Sequence, residues 1–175
     1  KINNKKKIQI FILVGEVSGD VIASGLIKAL KKNNSKVDID FFGITGPRMV
    51  DLGVKSLLGF EKINYLGFSD VILNYIPLKL KLKHVFQNII NKNPDFIISI
   101  DAKLFSLYLA KKIINYKNKN FSPKLVHIVP PTIWAHSPSR AKKWKNIYDL
   151  IISIIPNEDS YFKQYGIETR YLGNP

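Results

Sequence analysis

The sequence predicts an α/β protein built on a doubly wound parallel sheet, and three observations carry that prediction. Strand-like and helix-like segments alternate along the whole chain, without repeats or low-complexity stretches, which is the pattern of βαβ units. The strand-like segments are short apolar runs, with residues 8–14 (IQIFILV) and 96–100 (FIISI) the clearest. Such runs suit strands buried on both faces better than alternating edge strands. The first run leads directly into Gly15-Glu16-Val17-Ser18-Gly19-Asp20 and then a helix-like segment. Strand, small-residue turn and helix are the first half of a βαβ unit, whose turn faces the ligand side of such sheets.

Taken in order, residues 21–30 (VIASGLIKAL) read as a helix with apolar positions 22, 26, 29 and 30. Ser18 or Asp20 is placed to cap its first turn by accepting bonds from free backbone N–H groups. Residues 37–44 read as a second strand, 45–49 (TGPRM) as a loop entering a short helix, and 55–60 as a third strand. A helix is predicted over 64–75, stopped by Pro77, which lacks an amide hydrogen. Over 77–91 the alternation of Leu78, Leu80 and Leu82 with lysines fits a strand, yet Leu78, Leu82, Phe86, Ile89 and Ile90 share one helical face. Length and the polar stop at 91–93 favour the helix, which leaves Leu80 among lysines on the solvent side.

The FIISI strand ends on Asp101. A helix over 104–116, a polar loop and a strand over 125–129 follow, then the rigid loop Pro130-Pro131-Thr132-Ile133-Trp134-Ala135-His136. Ser137 and Pro138 supply a cap and first residue for a helix over 139–148. A strand at 150–154, a helix at 156–165 ended by Gly166, and a short strand at 168–172 complete the reading.

A chain of 175 residues is one domain, or one lobe of something larger, and can bury a respectable core. No window approaches a membrane span, and the basic start at Lys5-Lys6-Lys7 meets a strand with no cleavage-like segment, so no signal peptide is expected. The absence of cysteine excludes disulfides and thiolate metal sites and is compatible with the cytoplasm. His84, His127 and His136 have no metal-ligand spacing, so neither a metal nor a cofactor is expected. The formal charge is +14, with three arginines among 27 basic residues. Part of the lysine excess matches the composition of an AT-rich genome, and the field would still attract anionic partners. Scarcity of arginine forks argues against base reading, so no nucleic-acid partner is expected.

With strand order 3-2-1-4-5, the strands at 8–14 and 96–100 are neighbours, and Glu16 and Asp101 face each other at the switch point. One carboxylate could serve as general base while the other orients a hydroxyl or raises its partner's pKa. The bland alternatives are a cap role for Asp101 at the helix near Leu104, and glycines 15 and 19 serving only a tight reversal. Arg48 and Arg140 stand near predicted helix starts, where a phosphate contact is the sharper reading and a solvated face the plainer one. Trp134, held by prolines, suits a packed lid or lobe contact. Phe68, Leu73, Ile76 and Leu80 form a candidate apolar patch for an anionic membrane.

The pieces GEVSGD (15–20), FFGITGPRM (41–49), LGFSDVI (66–72), PDFIISIDA (94–102), PPTIWAH (130–136), PNEDSYFKQYGI (156–167) and LGNP (172–175) together resemble the lipid-A-disaccharide synthase family, in register over essentially the whole chain. The resemblance implies the amino-terminal, acceptor-side lobe of a two-lobed GT-B glycosyltransferase, with the carboxyl-terminal UDP-sugar lobe absent from residues 1–175. It implies transfer of 2,3-diacylglucosamine from UDP to 2,3-diacylglucosamine 1-phosphate at the cytoplasmic face of the inner membrane. A homodimer is left open. Asp101 corresponds to the family's candidate base and Glu16 to the acid of its glycine turn. Gly15, Ser18, Gly19, Asp20, Arg48, Trp134 and Arg140 are carried as substrate contacts. The family's usual Ala-Pro-Asp-Phe after the aspartate is Ala102-Lys103-Leu104-Phe105 here; its usual tryptophan is His136, its serine Pro130, and its Gly-His-Pro reads Gly173-Asn174-Pro175. Alternatives from the residues alone are another GT-B nucleotide-sugar enzyme, or a non-catalytic basic module binding anionic membrane or nucleic acid.

Overall fold

The apolar run at 8–14 lies within strand β1 (Lys6–Val14), and its residues alternate between two cores. Ile10, Ile12 and Val14 enter one, Phe11 and Leu13 the other, as the two-residue period of a strand dictates. This is a computed structural model, and it describes residues 6–34, 36–63, 75–130, 141–142 and 144–173. The other strands among the described residues are β2 (Val37–Thr45), β3 (Lys55–Gly59), β4 (Phe96–Ile100), β5 (Lys124–Ile128), β6 (Leu150–Ser153) and β7 (Thr169–Tyr171). They form one sheet in the order β3-β2-β1-β4-β5-β6-β7, with every pairing parallel.

Helices α1 (Val17–Asn33) and α2 (Pro47–Asp51) supply Ala23, Ile27 and Met49 to the core shared with Ile10, Ile12 and Val14. Helices α3 (Tyr75–Lys92), α4 (Lys103–Tyr116) and α5 (Glu158–Lys163) supply Val85, Ile89, Leu109, Ile113 and Phe162 to the core on the other face. Both faces are covered. That is the doubly wound architecture expected, with the predicted neighbour relation of β1 and β4 in place.

Some boundaries differ for physical reasons. Pro77 does not stop a helix; it stands in the first turn of α3, where an amide hydrogen would have no intrahelical acceptor. The predicted helix over 64–75 falls outside the described residues apart from its last position. The helix predicted over 139–148 does not continue through its second half: residues 141, 142 and 144 are in 3-10 geometry, 145–147 form a turn, and Asn146 takes φ 61°. Neither Ser18 nor Asp20 caps α1, whose N-cap is Glu16 with no side-chain cap bond.

Asp149, just before β6, fastens two adjoining strands. Its carboxylate accepts from the Leu125 N–H at 2.8 Å and from Lys124 Nζ at 3.1 Å, while its own N–H donates to Leu125 O at 2.8 Å. Burial works to raise its pKa, but the Leu125 amide with Lys124 and Lys117 outweighs it and holds the carboxyl below the usual range. The contact therefore adds stability above the unfolded carboxyl value of about 3.9 and is lost as pH falls through the lower folded value. Asp149→Asn is expected to lower unfolding free energy by about 1 kcal/mol at pH 7, a figure kept small by partial exposure. In urea melts the difference should shrink as pH falls below the unfolded carboxyl value.

Candidate active site

Val14 at the end of β1 pairs with Ile100 at the end of β4, so the turns leaving these strands emerge side by side. Helical connections from β1 and β4 depart to opposite faces of the sheet, which opens a crevice at the carboxyl ends of this pair. Gly15 lets the turns touch: a Cβ there would lie 2.9 Å from both Ala102 Cα and Asp101 O. Gly19 lets the first turn of α1 rest on the strand ends, since its Cβ would lie 3.2 Å from Ile100 O and 3.3 Å from Val14 Cβ.

Within this crevice the structure brings Glu16, Ser18 and Asp101 together. Ser18 Oγ lies 2.9 Å from Glu16 Oε1 and 3.2 Å from Asp101 Oδ2. Glu16 and Ser18 are exposed, and Asp101 is half-buried. Asp101 adopts φ 50°, a left-handed conformation uncommon outside glycine, and its N–H donates to Ile128 O at 3.2 Å. The N-cap position of α4 is occupied by Ala102, one residue after Asp101, and the alanine makes no side-chain cap bond. Two acceptor carboxylates linked by one hydroxyl can take a proton from, or orient, a bound hydroxyl.

Asp20 is a correction to the set of substrate contacts. It is 2% exposed, and its carboxylate accepts from the Arg48 N–H at 3.0 Å and the Met49 N–H at 3.1 Å. A negative charge at the N-terminus of α2 satisfies free amides and suits the helix dipole. Gly46 makes room for it, since any Cβ there would collide with the Asp20 carboxylate. Asp20 therefore ties α1 to α2 beneath the surface, and the side chain of Arg48 is exposed above it. Trp134, His136 and Arg140 lie outside the described residues, as do Phe68 and Leu73. Ile76 is in α3, but its side chain is likewise outside the description. Leu80 is 64% exposed, as the helical reading of α3 requires.

A buried polar cluster supports the site and was not foreseen. His127 of β5 is fully buried, with Nδ1 2.7 Å from Oγ of Ser99 in β4. Its ring packs on Trp144 and Tyr148, with centroids at 4.7 and 5.2 Å. Burial pushes the Tyr148 phenol up to about 12 against the opposing Ser106 and Ser99 hydroxyls, so it stays neutral. Ser99 lies two residues before Asp101, so the cluster fixes the end of β4 that presents the carboxylate. The one available signal was a histidine inside an apolar strand run (LVHIV), whose burial needs a hydrogen-bond partner.

A groove of about 740 Å³ lies between α3 and α4, lined by Leu80, Phe86, Tyr108, Lys83, Lys111 and Lys112 among others. Among the described residues no group of three His, Cys, Asp or Glu could hold a metal ion, and no helix is long and apolar enough to cross a membrane.

A crevice with paired carboxylates does not name a reaction, and comparison with known proteins narrows it. The sequence profile of a family described as Lipid-A-disaccharide synthetase matches residues 10–175. The chain belongs to this family. It is 35% identical over 170 residues to a lipid-A-disaccharide synthase of Rickettsia typhi, covering 95% of this chain and 43% of that protein. It is 34% identical over 182 residues to the corresponding synthase of Rickettsia conorii, covering 96% and 40% respectively. The Rickettsia canadensis synthase is 34% identical over 170 residues, covering 95% and 42%. The chain thus spans about two fifths of the length of these curated relatives. Family membership agrees with the α/β sheet, and the match takes in both the 15–20 turn and Asp101.

Proposed function

We propose that this chain is the amino-terminal, acceptor-side lobe of a two-lobed GT-B glycosyltransferase that makes the lipid A disaccharide. The full-length enzyme transfers 2,3-diacylglucosamine from UDP to the 6-hydroxyl of 2,3-diacylglucosamine 1-phosphate. The observation that carries this reading is the meeting of Glu16, Ser18 and Asp101 at the switch point of a chain in this family. Asp101 takes the proton from the acceptor hydroxyl, whose oxygen bonds to the anomeric carbon. The bond from that carbon to the UDP oxygen breaks, and UDP leaves with the electron pair. Glu16 and Ser18 orient the base, while the glycines at 15 and 19 keep the turn close to β4. Arg48, Trp134 and Arg140 are the proposed contacts to the acceptor, the arginines to its phosphate.

The test is UDP release with both acylated sugars, comparing this chain with the full-length protein. Release by the full-length protein and none by this chain is the expected result. No release by either would leave the chain a basic binding module.

The enzyme works at the cytoplasmic surface of the inner membrane in this reading, as its acylated substrates require. Exposed Leu80 beside Lys83 and Lys111 supports a contact that includes Phe68, Leu73 and Ile76. Each lysine near an anionic surface contributes about 1 kcal/mol. A Lys83→Glu/Lys111→Glu variant should therefore bind phosphatidylglycerol vesicles at least about tenfold more weakly than the parent protein. Unchanged co-sedimentation would count against this face.

A further inference from the structure

We infer that Ser18 joins Glu16 and Asp101 into one proton-sharing unit, in which Asp101 takes the acceptor's proton and Glu16 delivers it to solvent. The inference rests on the reading of Asp101 as base and adds roles for two other residues. A serine hydroxyl has one hydrogen and can also accept. Its oxygen lies within hydrogen-bond distance of both carboxylates, at 2.9 and 3.2 Å, so it cannot donate to both at once. Two short contacts along the series Glu16–Ser18–Asp101 are fully satisfied only when the three groups hold two protons. One belongs to Ser18, and the second is the proton that a turnover deposits.

The balance is simple. With Asp101 ionised, Ser18 donates to it and stabilises the anion that must act as base. When the acceptor O–H breaks and an Asp101 O–H forms, Asp101 becomes a donor toward Ser18. Ser18 then passes its own hydrogen to Glu16 and receives the one from Asp101. Asp101 is left ionised again, and Glu16 is a neutral acid. Exposure gives the direction: Asp101 is half-buried, whereas Glu16 is exposed and can lose the proton to water. Ser18 makes no cap bond to α1, so its hydroxyl is committed to these carboxylates and not to the helix.

Among the described residues, Glu16 on the β1–α1 turn is the other titratable group within hydrogen-bond distance of Ser18. Asp20, the next carboxylate on α1, is turned onto the amides of α2.

The experiment is a double-mutant cycle in the full-length protein, using UDP release from both acylated sugars. Ser18→Ala should lower kcat about 10- to 100-fold, the range expected for a hydrogen bond to a charged group, with KM within about twofold. The acidic limb of its rate–pH profile should move up by about one unit, because the ionised base loses a donor. Ser18→Thr keeps the hydroxyl and should restore most of the rate. Glu16→Gln should also slow turnover, and the Ser18→Ala/Glu16→Gln double variant should be no slower than Ser18→Ala, since the link is already cut. Parental kcat and pH profile in Ser18→Ala overturn the inference, as do losses that multiply in the double variant. If Asp101→Asn is inactive while Ser18→Ala is normal, the base reading stands and the relay alone falls. A near-normal Asp101→Asn removes both.

Discussion

Exchange of Asp101 for asparagine in the full-length protein is expected to lower turnover about 100- to 10,000-fold, the usual contribution of a positioned general base. The exchange keeps size and shape. Asparagine still offers a carbonyl oxygen to Ser18 Oγ, which lies 3.2 Å from the present carboxylate, and tolerates the left-handed φ of 50° better than most residues. Its backbone bond to Ile128 O is unaffected. Stability should therefore change by less than about 0.5 kcal/mol, as for substitutions outside the core. Substrate affinity should hold, because what is removed is proton acceptance in the transition state. Single-turnover UDP release together with a thermal melt checks both halves. A variant that turns over at the parental rate would remove Asp101 from the chemistry and leave it as a strand terminator.

Legibility in the sequence followed the physics of each signal. The two runs at 8–14 and 96–100 gave the buried strands because burial on both faces leaves little room for polar residues, and their adjacency followed from a common strand order. That adjacency was enough to bring Glu16 and Asp101 to one crevice. The role of Ser18 was partly visible: its place in the turn suggested a cap, but its hydroxyl reaches Glu16, two positions back, and Asp101, 83 positions ahead, and no local pattern encodes the second. Asp20 misled for the same reason. Beside Ser18 and Gly19 it looked like part of the ligand turn, yet one helical turn from the N-cap it points sideways, onto amides of α2 that lie 28 and 29 positions ahead. His127 carried a real signal, a polar residue inside an apolar run. Its partners come from two other places in the chain, Ser99 from β4 and Trp144 and Tyr148 from the stretch before β6, and only the register of β4 on β5 pairs the first of them with it. Pro77 shows a limit of punctuation rules, because proline is equally at home after a helix and in the first turn of the next.

Replacing Gly15 with alanine tests the link between fold and site. The added methyl would lie 2.9 Å from Ala102 Cα and Asp101 O and 3.0 Å from Ala102 Cβ, and backbone atoms cannot move aside as a flexible side chain would. The strands cannot part to make room, because Val14 pairs with Ile100 and both side chains are fully buried in one core. The strain must therefore fall on the two turns, which carry Glu16, Ser18 and Asp101. Overpacking of this kind costs about 1–3 kcal/mol of stability, and a displacement of about 1 Å at reacting groups costs about a hundredfold in rate. Gly25→Ala is the matching control. It lies exposed in the middle of α1 with nothing within 4 Å of the new methyl, so alanine should stabilise by about 0.5–1 kcal/mol with no change in rate. Melting temperature and UDP release measured on both full-length variants separate the cases. A Gly15→Ala protein with parental rate and stability would show that the turns can move apart without consequence, and the close contact at the switch point would lose its place in the chemistry.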